Sequence, residues 1–208
     1  MSDGNEANMP EAETKTAVSP WNGANLMTAA RILLAVVVFC LLPFGLYKTA
    51  LVLFLIAALT DKLDGWYARK YNLITQLGRI MDPLADKLMI CGTFVYLLTL
   101  GDLTTVRFGL RVWMVVVLIS REMLVTTLRA LIESHGGDFS AAWSGKIKMT
   151  VQCVAVALCL LYLCFETGTV PAWIVWIMIV SLWATVASTV YSGVQYVVAA
   201  IKVASEQK

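Results

Sequence analysis

The run from Ala172 to Ile201, AWIVWIMIVSLWATVASTVYSGVQYVVAAI, holds no charged residue. At a helical rise of about 1.5 Å per residue it is longer than the roughly 30 Å hydrocarbon core of a bilayer is thick. A backbone in lipid must satisfy its own polar groups, which leaves helices or a closed barrel. Apolar windows of near-spanning length recur along the chain, so the run is not a single core helix. The 208 residues are 59% hydrophobic and 14% charged, whereas a soluble domain is about half apolar and a quarter charged. These features predict an all-α polytopic membrane protein.

Six spans fit the pattern, from about Asn25 to Leu42, Thr49 to Arg69, Asp82 to Leu100, Arg107 to Glu133, Ser144 to Phe165 and Ala172 to Ile201. Pro83 falls at the expected first turn of the third span, where its missing N–H is no loss. GDLTT reads as the turn after that span. Trp173 and Trp176 suit an interfacial belt. Residues 1–20 are acidic, small and polar, and predict a disordered cytoplasmic tail ahead of a membrane domain over 21–208. The five cysteines lie in apolar runs with no CxxC pair and predict buried free thiols.

Basic residues set the orientation. With the tail in the cytoplasm, the inner side receives Lys15, Arg69, Lys70, Arg79, Lys146, Lys148, Lys202 and Lys208. The outer side receives Lys48, Arg107 and Arg111. That asymmetry places both termini in the cytoplasm. The expected location is the cytoplasmic (inner) membrane, with the lipid bilayer as a partner and no nucleic acid.

The stretch DKLDGWYARKYNLITQLGRIMDPLADK, residues 61–87, concentrates charge between two apolar runs. Asp61 and Asp64 are three residues apart, and Asp82 and Asp86 four apart, so each pair shares a helix face. KYNLITQL would turn the chain at the membrane surface and bring the pairs together. Unpaired, such carboxylates repel and are costly to bury. Hard divalent cations resolve the repulsion, and Mg²⁺ commonly keeps positions open for phosphate oxygens. Metal ions clamping a diphosphate suit displacement at phosphorus. Gly65, Ala68 and Gly78 lie one turn from an aspartate, where small side chains allow close helix approach or make room for a flat ligand.

The spacing Asp61-x2-Asp64-Gly65-x2-Ala68-Arg69-x8-Gly78-x3-Asp82-x3-Asp86 resembles the signature of the CDP-alcohol phosphotransferase family, with every fixed position filled. The resemblance implies six membrane helices, divalent metal (Mg²⁺ or Mn²⁺, two ions) and displacement of CMP from a CDP-linked lipid by an alcohol. It assigns Asp61, Asp64 and Asp82 as metal ligands. Asp86 becomes the general base, with metal contact as a further role. Gly65 and Ala68 would line the cytidine pocket, with Asp64 beside it, and Gly78 would let the third span approach. Arg69 would bind the diphosphate or pair with the acids. Asn25, Thr28 and Arg31 resemble the family's first-span motif beside the nucleotide. Pairing into a homodimer is also implied.

That signature leaves the alcohol open. Arg121 and Glu122 lie deep in the fourth span, where an ionisable residue is a functional candidate. Arg129 follows Arg121 by eight residues, a little over two turns, so both can face one cavity. Lys146 and Lys148 open the fifth span, as acceptor-site cations or as positive-inside anchors. Cations facing a metal site suit an anionic acceptor such as a phosphomonoester. Ser120-Arg121-Glu122, Val125 and Leu128-Arg129, then Gly145-Lys146, Lys148, Thr150 and Gln152, resemble the phosphatidylglycerophosphate synthase branch of the family. The resemblance implies CDP-diacylglycerol as donor and sn-glycerol 3-phosphate as acceptor, its phosphate on Arg121, Arg129, Lys146 and Lys148.

Rival readings are a family member with another acceptor, such as a cardiolipin synthase or phosphatidylinositol phosphate synthase, and a cation transporter. Transporter carboxylates usually lie near the midplane in broken helices, whereas these cluster at one boundary amid cations. His135, the only histidine, reads as a solvated loop residue.

Overall fold

The computed structural model describes residues 23–70, 76–134, 143–166 and 169–206, with side chains except at 23–25, 61–70, 76–80, 82, 130–134, 143–146 and 202–206. The expected tail and His135 lie outside the described residues. Among the described residues all regular structure is helical. The order is α1 (Gly23–Leu41), a 3-10 turn (Leu42–Phe44), α2 (Tyr47–Lys70), α3 (Gln76–Thr99), α4 (Asp102–Thr105), α5 (Val112–Ser134), α6 (Trp143–Leu163) and α7 (Ala172–Glu206).

Two expected boundaries are corrected. Helix α3 begins at Gln76, six residues before Asp82, so Pro83 lies inside the helix and not in its first turn. An interior proline forgoes its hydrogen bond to the carbonyl four residues back, here that of Arg79. Neighbouring helices and side chains can make good such a loss in an apolar setting. Helix α5 begins at Val112, not near Arg107. The intervening turn places Phe108 at a φ of 64°, and its carbonyl accepts from Trp183 Nε1 at 3.2 Å. GDLTT contains the single helical turn α4.

Side-chain pairs fix how the helices run. Arg31 meets Asp86, and a Cβ added to Gly92 would stand 2.5 Å from the ring of Phe39. Residue numbers rise together along α1 and α3, so those helices are parallel. The rings of Trp113 and Trp183 meet edge to face at 5.8 Å, Arg121 meets Ser192 and Arg129 meets Tyr196. Helices α5 and α7 are therefore parallel too. Each parallel pair requires the helix between its members, α2 or α6, to run the other way. The starts of α1, α3 and α6 and the ends of α2, α5 and α7 consequently share one end of the bundle.

The exterior departs from a soluble protein's, although the core is largely apolar. Lys148, Gln152, Thr185, Thr189 and Ser192 are buried, whereas Leu33, Val36, Val52, Val116, Trp176 and Val180 are exposed. An apolar exterior of this extent suits lipid and not water. Two described segments, Leu26–Phe44 and Ala172–Ile201, are long and apolar enough to cross a bilayer by length and composition. The fold is all-helical and has the character of an integral membrane protein.

Candidate active site

Arg31 is 2% exposed on α1, and its Nη1 donates to Asp86 Oδ1 at 2.8 Å. The family resemblance implies a place for Arg31 beside a nucleotide; the fold puts it on the carboxylate expected to act as base. Such a charge-assisted bond orients an acid more firmly than a neutral donor does. Thr28, one turn earlier, is also buried.

Asp86 lies where two cavities adjoin. The first, about 590 Å³, is mainly apolar and runs between Phe54–Leu59 of α2, Met89 of α3 and Cys153–Ala157 of α6, with Arg31 and Asp86 among its lining. The second, about 320 Å³, is lined by Lys87, Arg121, Arg129 and Lys148, with Glu122, Gln152 and Tyr196. Asp86, Ile90 and Met149 belong to both linings.

The other aspartates are placed by backbone alone. Leu59 lines the first cavity with Asp86, and α2 continues from it through Asp61 and Asp64 to Lys70. Asp82 sits one turn before Asp86 on α3. Carboxylates are the hard oxygen donors a divalent cation takes, and Asp86, one of the four expected to supply them, lines the first cavity. The side chains of Asn25, Asp61, Asp64, Arg69, Asp82 and Lys146 lie outside the described residues, as do any contacts of Gly65, Ala68 and Gly78.

The cations of the second cavity are held from several sides. Glu122 binds the ammonium of Lys148 and accepts from Arg121 Nη1 at 3.3 Å. Arg121 Nη2 donates to Ser192 Oγ at 2.5 Å, and its guanidinium carbon lies 5.3 Å from the centre of the Tyr196 ring. Arg129 Nη2 donates to the Tyr196 hydroxyl at 3.3 Å. Lys87 donates to the hydroxyl of Thr126. Four cations against the carboxylates of Glu122 and Asp86 leave a positive surplus, which suits a doubly charged phosphomonoester. Gln152 is 3% exposed, and its Nε2 has no hydrogen-bond partner among the described residues. Such a buried orphan donor costs about 1–3 kcal/mol.

Sequence reading by charge missed Lys87 as a lining residue and all of α7. A signal was present in α7. Ser181, Thr185, Thr189, Ser192 and Tyr196 recur at steps of four, four, three and four, one face of a helix, and all are buried. Gly193 on that helix brings α7 close to Arg121, since an added Cβ would stand 3.2 Å from its Cγ.

Comparison with known proteins matches residues 21–201 to the family model described as CDP-alcohol phosphatidyltransferase. A Bacillus subtilis (strain 168) protein named CDP-diacylglycerol–glycerol-3-phosphate 3-phosphatidyltransferase is 42% identical over 147 residues, 70% of this chain and 69% of the relative. A Shigella flexneri protein of the same name is 31% identical over 191 residues, covering 86% and 95%. One from Rickettsia felis, also so named, is 30% identical over 183 residues, covering 84% and 93%. With the match spanning nearly the whole helical bundle and the aspartates it carries, the chain belongs to the CDP-alcohol phosphatidyltransferase family.

Proposed function

We propose that this chain transfers the phosphatidyl group of CDP-diacylglycerol to sn-glycerol 3-phosphate, forming phosphatidylglycerophosphate and CMP. The observation that carries the reading is Asp86 at the junction of an apolar cavity and a cation-lined one. A lipid donor and a small anionic acceptor need such neighbours with a carboxylate between them. The names of the relatives favour this donor and this acceptor over the rest of the family.

The acyl chains occupy apolar surface continuous with lipid. The acceptor's phosphate binds Arg121, Arg129 and Lys148, with Lys146 at the start of α6 as a further cation. Asp86, oriented by Arg31, takes the proton of the C1 hydroxyl as its oxygen bonds to the β-phosphorus, which carries the diacylglycerol. The bond from that phosphorus to the oxygen bridging to CMP breaks, and CMP leaves with the electron pair. The family generally uses divalent metal ions; two, Mg²⁺ or Mn²⁺, held by Asp61, Asp64, Asp82 and Asp86, would neutralise the diphosphate and the leaving group. Asn25, Thr28, Gly65, Ala68, Arg69 and Gly78 border the nucleotide in this reading.

The proposed topology has six crossings with both termini in the cytoplasm of a cell whose inner membrane holds the enzyme. The parallel pairs α1/α3 and α5/α7 support alternating crossings, and the basic residues of the chain support a cytoplasmic active site. The family resemblance also carries pairing into a homodimer, which a mass measurement in detergent would test. For the activity, purified protein is supplied with CDP-diacylglycerol, Mg²⁺ or Mn²⁺ and one acceptor at a time: glycerol 3-phosphate, phosphatidylglycerol, inositol phosphate or serine. CMP release with glycerol 3-phosphate alone is expected; release with another acceptor in its place would overturn the assignment.

A further inference from the structure

The cations of the second cavity account for binding an anion, but they leave Gln152 without a task. This residue sits on α6 one turn beyond Lys148 and lines the same cavity as Arg121, Arg129 and Asp86. It is almost wholly buried, yet its Nε2 lacks a hydrogen-bond partner among the described residues. Buried amides are normally satisfied, so an exception on the wall of a binding cavity calls for a partner from outside the chain, such as an acceptor on the ligand. A phosphate in this cavity already faces four charged donors. A neutral amide is better matched to a neutral oxygen. Between the phosphate and the attacking C1 hydroxyl of glycerol 3-phosphate there is one such oxygen, the hydroxyl on C2.

We infer that Gln152 is a specificity-determining residue, whose side-chain amide donates to the C2 hydroxyl oxygen of the acceptor and so selects a glycerol phosphate over phosphomonoesters that lack it. The inference rests on the proposed acceptor. A site that hydrogen-bonds a substrate hydroxyl rejects an analogue lacking it, because the buried polar group is again left unpaired.

The test uses the purified full chain with CDP-diacylglycerol and Mg²⁺. Acceptors are sn-glycerol 3-phosphate and 3-hydroxypropyl phosphate, which keeps the phosphate and the attacking hydroxyl but lacks the C2 hydroxyl. The unmodified enzyme should favour glycerol 3-phosphate in kcat/KM by about tenfold or more. Gln152→Met and Gln152→Leu should lose about that factor with glycerol 3-phosphate, stay within about twofold with 3-hydroxypropyl phosphate, and keep the KM for CDP-diacylglycerol. Equal use of both acceptors by the unmodified enzyme overturns the inference without any variant. So does an equal loss on both acceptors in the variants, which would place the amide on the phosphate or in packing alone. If neither phosphomonoester releases CMP but another alcohol does, the proposed acceptor itself fails, and this inference with it.

Discussion

Arg31 on α1 holds Asp86 on α3 across 55 residues of sequence, Nη1 to Oδ1 at 2.8 Å. Arg31 is buried on a carboxylate that borders both cavities, so in the proposed reaction it would act through that carboxylate. Arg31→Met should lower kcat by about 10²-fold while the KM for glycerol 3-phosphate changes little. Asp86→Asn should lower kcat at least as far. Steady-state CMP release measures both. An effect of Arg31→Met confined to the KM for CDP-diacylglycerol would return Arg31 to the nucleotide.

Among the described residues helix α7 supplies no cation to the second cavity, yet it sets where the arginines stand. Tyr196→Leu removes the ring under Arg121 and Arg129 and should raise the acceptor KM about tenfold, each cation–π contact contributing about 0.5–2 kcal/mol. Tyr196→Phe keeps the ring that lies against both guanidinium groups and should stay within about threefold. Gly193→Val should displace Arg121 and raise the same KM about tenfold, Gly193→Ala about twofold. The donor KM is the internal control.

Glu122 joins Lys148 to Arg121, and the Lys148 side chain is only 5% exposed. Removing one partner of a buried ion pair strands the other, at about 3 kcal/mol or more. Glu122→Ala should therefore lower unfolding stability in detergent by that amount, and Glu122→Ala with Lys148→Met should recover part of the loss. A double-mutant cycle with no coupling would show that the contact is not an energetic pair.

Activity should vanish in excess EDTA and return with added Mg²⁺ or Mn²⁺. Asp64→Asn should raise the metal concentration for half-maximal CMP release by at least about tenfold. Metal-independent turnover would remove the proposed role of the four aspartates.

Some of this was legible along the chain. The long apolar stretches predict an all-helical membrane fold, because a backbone in lipid has few other ways to satisfy its polar groups. Helical spacing put Arg121 and Arg129 on one face, and both line one cavity. The start of α3 was misplaced because Pro83 reads as a first-turn residue when only local preference is weighed. The polar stripe on α7 has helical spacing, but a serine or threonine in an apolar run carries no charge to attract notice. Gln152 stands within a recognisable pattern, but its burial and unpaired amide are properties of the packed bundle.

The sequence by itself determined an all-helical membrane fold, the pairing of aspartates on helix faces and the family to which the chain belongs. These depend on composition and on spacing within one segment, where periodicity of 3.6 residues decides which side chains share a face. Tertiary structure alone decided that Arg31 pairs with Asp86, that Glu122 ties Lys148 to Arg121, and that α7 carries the side chains against which Arg121 and Arg129 rest. Those relationships join residues 26 to 71 positions apart, and only the packing of helices against one another brings such residues within bonding distance.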